Sequence, residues 1–372
     1  MMGLKRLLGE SVGFIQRKQY LRGIQRIRVS EGRDLGAGLR LDRNERVDAW
    51  PDDFLIDVMA AQPSYFLSVY PESGPLIEKI ASFHGIRPTQ VLLTAGIDGG
   101  IKTLFEVMTA PGDLVVTVDP TYAMYQVYAR LFQVELGLVG YQSDFSLDIA
   151  GLNDLIAQHP TMIFLPNPNQ PVESSLTLED ISDLAARCAD ANVLFVVDEA
   201  YHLFGADTAV SLIDGFPNVV VARTFSKGFG VPSIRLGYLL SSEENMEVLA
   251  KTRFAHESNA LSNAVAEYLL DHFDIVEDYN GRVVESRDQI AKDLAARGIP
   301  THGSNGNFLL LDLGSEERAI GFVRSLRDNA VYVKGPWREP WNRYVSITIG
   351  PLSTMQRFLA EVDAFLLAES GV

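Results

Sequence analysis

The sequence predicts an α/β fold, with a mostly parallel sheet sandwiched by helices in a large domain and a smaller α/β domain at the C-terminal end. Three observations predict it. Short β-branched runs such as Val193-Leu-Phe-Val-Val197 are apolar at successive positions rather than at alternate ones. Strands of that kind are buried on both faces, as in parallel sheets covered by helices. Longer amphipathic stretches with helical spacing separate the runs, and repeated strand–helix–strand units imply parallel pairing. Past about Glu257 the texture shifts to long charged helical segments and a second set of short strands.

In chain order, the strand readings of the first half are Val91–Thr94, Leu114–Val118, Met162–Leu165, Leu194–Val197, Val219–Ala222 and Leu236–Leu240. A glycine turn, Thr94–Gly100, joins the first of these to a helix over Ile101–Met108. Leu178–Ala191 reads as a helix because Ile181, Leu184, Ala185 and Cys188 share one face. In the second half, Asn259–Phe273 and Ile275–Arg297 read as helices. Strands follow at Asn307–Leu313, Ala330–Lys334 and Tyr344–Ile349, with helices at Ser315–Asn329 and Leu352–Leu367. The expected domains are an arm at 1–45 that joins the small domain, a large domain at 46–256 and the small domain at 257–372. No internal repeat is visible.

Charge and cysteine content narrow the partners. Lys and Arg number 32 against 48 Asp and Glu, a formal charge of −16. Such a surface repels nucleic-acid phosphates and anionic lipid. The one cysteine, Cys188, rules out an intrachain disulfide and a cysteine metal cluster. The six histidines show no metal-ligand spacing. No apolar run approaches the roughly 18 residues of a membrane span, and the basic N-terminus lacks the apolar core of a signal peptide. The expected compartment is the cytoplasm.

In such sheets the chemistry gathers at the carboxyl ends of the strands. Asp198 follows the run Val193–Val197, where a carboxylate is costly unless it meets a cation; the competing reading is an ordinary turn cap. Lys227 stands among small and apolar residues in RTFSKGFG. A buried amine there has a lowered pKa and is a competent Schiff-base nucleophile. Arg235, with the hydroxyls of Thr224 and Ser226, suits a phosphate. The glycine turn at a helix N-terminus suits an anion as well. Tyr122, in DPTYAMY, offers a flat ring for stacking, or is a core tyrosine. Together these call for a ligand with a phosphate, an aromatic ring with a basic nitrogen, and an aldehyde. Pyridoxal 5'-phosphate has all three.

From LDRNE (Leu41–Glu45) to YVSITIG (Tyr344–Gly350) the chain resembles the fold-type-I pyridoxal-phosphate enzymes of the class I/II aminotransferases, in particular the histidinol-phosphate aminotransferase branch. The most specific matches are DEAY (Asp198–Tyr201) and SKGFGVPSIRLGY (Ser226–Tyr238). The resemblance implies that Lys227 carries the cofactor covalently and Asp198 pairs with its ring nitrogen. It places Tyr201 on the ring oxygen and Tyr122 on the ring face. Backbone N–H groups of Gly96, Ile97 and Asp98, with Ser226 and Arg235, would hold the phosphate. Tyr70, in VYPESG, matches a tyrosine that reaches the neighbouring subunit's cofactor, so the resemblance implies a homodimer with shared sites.

Two departures stand out. Gln170, in the loop Asn167-Pro-Asn-Gln-Pro-Val-Glu173, takes the place of an asparagine that contacts the ring oxygen; its amide is expected to keep that contact. Ser346 takes the place of an arginine that forks onto the substrate's α-carboxylate. Either Arg343 or Arg338 substitutes, or the main substrate has no α-carboxylate. Lys334, in VYVKGPW, falls where the branch holds a substrate phosphate, and Asn307 joins Lys334, Ser346 and Arg343 on the substrate side. The basic cluster Arg17, Lys18, Arg22, Arg26 and Arg28 reads as a solvated face, and His202 as structural.

The leading expectation is a transaminase exchanging an amino group between an amine and a ketone. Its substrate is expected to be phosphorylated and carboxylate-free, such as dihydroxyacetone phosphate and its amino alcohol. A decarboxylase of a phosphorylated amino acid uses the same cofactor residues. A pyridoxal-phosphate-binding sensor is the non-enzymatic alternative, disfavoured by the intact Lys227, Asp198 and Tyr201 and by the lack of a spare basic domain.

Overall fold

The structure is a computed structural model and describes residues 19–24, 32–256 and 258–371. Among these, twelve strands occur. They are Leu39–Arg40 (β1), Val91–Thr94 (β2), Leu114–Val118 (β3), Glu135–Val139 (β4), Met162–Pro166 (β5), Leu194–Asp198 (β6), Val219–Thr224 (β7), Gly237–Leu240 (β8), Thr301–His302 (β9), Phe308–Asp312 (β10), Val331–Tyr332 (β11) and Tyr344–Thr348 (β12). The helices are Phe54–Ala60 (α1), Gly74–His84 (α2), Gly96–Met108 (α3), Met124–Phe132 (α4), Ile149–Ile156 (α5), Leu178–Asp190 (α6), Glu243–Leu249 (α7), Ala260–Asp271 (α8), Phe273–Ala296 (α9), Glu316–Asp328 (α10) and Leu352–Glu369 (α11).

Seven strands form the large sheet in the order β2-β8-β7-β6-β5-β3-β4. The unbroken apolar runs have a direct cause: both faces of this sheet are covered. Val219 and Val221 join one core cluster while Val220 and Ala222 join the other. The pairings from β7 through β4 are parallel, as expected. β8 departs from that pattern and runs antiparallel to both β2 and β7. The reason is the connection. Residues 225–236 form a loop with no crossover helix, and only antiparallel neighbours can be joined so directly. β4 has no counterpart in the sequence reading; it is the edge strand and stays partly exposed along most of its length.

Helix starts follow local chemistry. Thr177 caps α6 through a reciprocal box, its hydroxyl accepting from the Asp180 amide while the Asp180 carboxylate accepts from the Thr177 amide. α3 begins at Gly96 rather than at Ile101. Gly96 adopts φ +70° and makes the turn alone, so Ile97–Gly100 are already helical.

A second core packs β10, β12, α9, α10 and α11 around Phe322, Phe358 and Leu311. β12-β10-β9 form an antiparallel sheet, and β1 pairs in parallel with β11. The strand expected at Ala330–Lys334 shortens to two residues plus a backbone bridge from Lys334 to Ser346. A small aromatic cluster of Tyr141, Phe145, Trp337, Trp341 and Tyr344 joins this part to the large sheet's carboxyl edge.

Candidate active site

Strand register brings the polar strand ends together. Asp198 closes β6 opposite Pro166 on β5 and Ala222 on β7. Its carboxylate is 5% exposed. The Tyr125 hydroxyl donates to Oδ2 at 2.5 Å and the Ala200 amide donates to Oδ1 at 3.1 Å. Among the described residues no cation forms a salt bridge with it. Burial pushes the Asp198 carboxyl up to about 6, against the pull of Tyr125 and Ala200 in the other direction. Glu199, next along the strand, points away. It is held at zero side-chain exposure by Arg223, Thr208 and the Ala209 amide.

Lys227 sits in the loop between β7 and β8. Its ammonium donates to the Arg43 carbonyl at 2.7 Å and lies 5.8 Å from the Tyr201 ring centre. Burial draws the amine down to about 8, with the charge of Lys334 adding to the effect and Glu45 opposing it. The Tyr201 hydroxyl accepts from Nδ2 of Asn44 at 2.9 Å. Asn44 is fixed in turn by Thr348 on β12 and by the Asn307 amide, which donates to the Asn44 carbonyl.

The N-terminus of α3 faces the same loop. No side chain caps α3, so its first backbone N–H groups are available to an anion. Arg235 reaches across it: a Cβ added to Gly96 would lie 2.8 Å from Nη2 of Arg235. Nη1 of Arg235 also donates to Ser226 Oγ at 3.4 Å, and the Thr224 hydroxyl accepts from the Ser226 amide. Ile97 and Asp98 lie in this first turn, and Oδ1 of Asp98 is buried without a partner. The Tyr122 ring is edge-on to Tyr125, 6.0 Å between centres, and 43% exposed.

On the far wall, the Ser346 and Lys334 backbones exchange two hydrogen bonds. The Lys334 ammonium lies 4.7 Å from the Trp337 ring centre. Desolvation draws this amine down to about 8, with Asp42 opposing. Nε2 of Gln170 donates to Ser346 Oγ on β12 at 3.4 Å. The two arginines considered as substitutes are engaged. Arg343 pairs with Asp312 at 2.8 Å and donates to the Tyr344 hydroxyl, and Arg338 pairs with Asp119 at 2.6 Å. Tyr70 is 77% exposed and stacks on His256, away from these groups of its own chain. His202 Nδ1 lies 2.9 Å from the Glu199 carbonyl, a structural arrangement. Arg17, Lys18, Arg26, Arg28 and the Arg22 side chain lie outside the described residues.

The sequence reading missed Tyr125, Asn44 and Glu173. Tyr125 lies one helical turn after Tyr122, a signal present in DPTYAMY. Glu173 is buried and binds the Ser304 and Asn305 amides, which ties the Gln170 loop to the turn before β10. Nothing in the sequence announces that contact.

The chain matches the family Aminotransferase class I and II over residues 39–360. The chain belongs to that family. This aminotransferase is 30% identical over 340 residues to the histidinol-phosphate aminotransferase of Thermococcus kodakarensis, covering 88% of this chain and 90% of that protein. Histidinol-phosphate aminotransferase 1 of Carboxydothermus hydrogenoformans is 28% identical over 331 residues, 88% of this chain and 93% of that one. The crystal structure of the Sinorhizobium meliloti histidinol-phosphate aminotransferase, in complex with pyridoxal-5'-phosphate, superposes with a TM-score of 0.82 at 25% identity, covering 88% of this chain and 91% of that one. The protein is thus an enzyme, a transaminase of the fold-type-I α/β architecture.

Transaminases of this class work with pyridoxal 5'-phosphate, and the residues present fit it. A buried carboxylate served only by neutral donors suits a protonated ring nitrogen. A depressed amine suits an aldehyde. The uncapped α3 N-terminus beside Arg235 suits a phosphate, and Gly96 leaves no Cβ in that space.

Proposed function

We propose that this aminotransferase exchanges an amino group between a phosphate-bearing amine and a ketone, with Lys227, Asp198 and Tyr201 as its catalytic residues. The observation that carries the reading is the pair of buried groups on either side of Tyr201: the depressed Lys227 amine and the Asp198 carboxylate, which no described cation pairs with. Bound pyridoxal phosphate supplies an aldehyde for amine exchange and a cationic ring that draws electrons from the substrate's α-carbon. Asp198 holds a proton at the ring nitrogen, and Tyr125 orients that carboxylate. Tyr201, fixed by Asn44, donates toward the ring oxygen. Tyr122 covers one ring face. Gly96, Ile97, Asp98, Thr224, Ser226 and Arg235 hold the phosphate. Lys227 moves the proton at the α-carbon, a task suited to an amine near pH 8.

On the substrate side, Lys334 anchors the substrate phosphate. Support comes from its depressed amine, from the absence of a salt bridge to it among the described residues, and from relatives named for a phosphorylated substrate. Asn307 shapes this wall through Asn44. The chain divides into an arm at 1–45, a large domain at 46–256 and a small domain at 257–372, a division supported by the separate core around β10 and β12 and by the pairing of β1 with β11. A homodimer in the cytoplasm completes the reading. Support comes from the exposed large apolar side chains Leu55, Ile56, Leu67, Val69 and Tyr70, a density of the kind a partner covers. No helix among the described residues is long and apolar enough to cross a membrane.

Borohydride reduction of the holoenzyme, followed by peptide mass mapping, tests the core of this reading. The cofactor mass is expected on the peptide containing Lys227. Its absence there, in a protein that binds the cofactor, overturns the assignment.

A further inference from the structure

We propose that Glu173 is a positioning residue for the reaction: it clamps the turn 303–306 and thereby fixes Asn307, Asn44 and, at the end of that chain of contacts, the Tyr201 hydroxyl. The inference rests on the reading above that Tyr201 donates toward the cofactor's ring oxygen. Glu173 is 4% exposed. Among the described residues no cation pairs with it, and a carboxylate so placed is costly unless hydrogen bonds replace the lost water. Four donors replace it here. Oε2 accepts from the Ser304 amide at 2.9 Å, and Oε1 accepts from the Asn305 amide at 2.8 Å. The Ser304 and Ser175 hydroxyls donate to Oε1 at 3.2 and 3.3 Å. The Glu173 carbonyl also lies 2.7 Å from Nε2 of His302. Gly303 permits the approach. Its φ of +134° starts the turn that aims two successive N–H groups at the carboxylate, and a Cβ there would lie 3.0 Å from the Phe308 carbonyl oxygen.

The clamped turn reaches Tyr201 by three routes. Asn307 follows the turn, and its Nδ2 donates to the Asn44 carbonyl at 3.3 Å. The Asn307 carbonyl accepts from the Ile349 amide at 2.8 Å, next to Thr348, whose hydroxyl donates to Oδ1 of Asn44 and accepts from its amide. Nδ2 of Asn44 donates to the Tyr201 hydroxyl, and the preceding carbonyl, that of Arg43, accepts from Lys227. On its other flank the turn meets the chain just past Tyr201. Nη1 of Arg287 bridges the Gly306 and Phe204 carbonyls at 3.0 and 3.3 Å, and a Cβ added to Gly205 would lie 3.2 Å from Oδ1 of Asn305. Glu173 closes a loop that leaves β5 in the large sheet, whereas the turn leads into β10 and the second core. The carboxylate thus joins the two cores within the wall that carries Tyr201. A fully satisfied buried network rigidifies what it touches. A glutamine would offer one acceptor oxygen where these donors use two. A buried charge is weak evidence for stability; its consequence here is one fixed geometry.

The pH midpoint at which the bound cofactor loses a proton, followed by absorbance of the pyridoxal-phosphate holoenzyme, reads the Tyr201 hydroxyl. A donor to the ring oxygen favours the proton-free form, so its loss raises the midpoint. Tyr201→Phe is expected to raise it by about one pH unit. Glu173→Ala is expected to raise it by a smaller amount and to add nothing in the Tyr201→Phe background. The sign separates position from charge, because removing the negative charge of Glu173 through space alone favours proton loss and lowers the midpoint. With Tyr201→Phe behaving as expected, a lowered or unmoved midpoint in Glu173→Ala overturns the proposal, as does a shift that adds in full to that of Tyr201→Phe. An unmoved midpoint in Tyr201→Phe sinks the ring-oxygen reading instead, and hydrogen exchange of the apoproteins then decides on Glu173. Peptides holding Asn44 and Tyr201 are expected to exchange on the order of tenfold faster in Glu173→Ala than in the wild type; equal rates overturn the clamp. Glu173→Gln keeps the shape and one acceptor. It is expected to give a smaller rise, and it decides if the alanine variant fails to fold, an unmoved midpoint there overturning the proposal.

Discussion

The Tyr125 hydroxyl donates to Oδ2 of Asp198 across 73 residues of sequence, at 2.5 Å and in a fully buried setting. The carboxylate proposed to meet the cofactor's ring nitrogen is thereby kept closer to ionisation than burial alone permits. Tyr125→Phe removes the donor, and the Asp198 pKa rises further above about 6. Cofactor affinity at pH 7 should fall on the order of 10- to 100-fold, the worth of one hydrogen bond to a charged group. Fluorescence titration of the apoenzyme with cofactor between pH 6 and pH 9 checks it; equal affinities at pH 7 contradict the assigned role.

The same carboxyl makes the apoenzyme pH-sensitive in a defined direction. Its folded pKa, about 6, lies above the ordinary value of 3.8, so the folded state prefers the protonated form. That contribution to stability is complete below pH 3.8 and is lost as pH rises through 6. Asp198→Asn should remove the loss, and its apoprotein should melt higher than the wild type at pH 7 while binding cofactor poorly. Melting curves of both apoproteins from pH 5 to pH 8 give the test.

Lys227 behaves in the mirror sense. Its amine titrates near 8 in the fold against 10.5 in the open chain, so protonation disfavours the folded apoenzyme increasingly as pH falls from 10.5 to 8. Lys227→Met keeps the bulk without the charge. It should abolish transamination and leave an apoprotein at least as stable as the wild type at pH 7, with the advantage fading above pH 10. Paired denaturant titrations at the two pH values measure this.

Much of the scaffold was legible because both faces of the large sheet are covered. β2 and β3 match their expected spans, since a run with no exposed face leaves a continuous apolar signature. β4 left none, because an edge strand mixes exposed and buried positions. Asp198, Lys227 and Arg235 could be picked out from local sequence. Asn44 could not, since its role depends on Tyr201 and Thr348, 157 and 304 residues away. Gln170 shows the limit most plainly: its residue type was clear, but its contact with Ser346, 176 residues away in sequence, was not.

Glu199 and Arg223 form a buried ion pair one position from Asp198, with side-chain exposures of 0% and 3%. Glu199→Gln keeps an acceptor but leaves the buried guanidinium without its counter-charge. A loss of about 3–5 kcal/mol is expected, the usual result of breaking such a pair from one side. Arg223 also donates to the Thr208 hydroxyl at 2.6 Å and bonds Tyr238. Urea unfolding of the apoprotein checks the prediction, and a loss under about 1 kcal/mol would show that these two hold Arg223 without help.

Because β8 turns straight back from β7, Lys227 and Arg235 ride on one hairpin, whereas Lys334 and Ser346 belong to strands with a core of their own. The groups proposed for the chemistry and those proposed to choose the client thus sit on different foundations that meet where Thr348 and Asn307 fix Asn44 against Tyr201 and where the Lys334 charge acts on Lys227. A change on the second wall is felt at the first, so a lineage that tries a new metabolite must also retune its inherited chemistry.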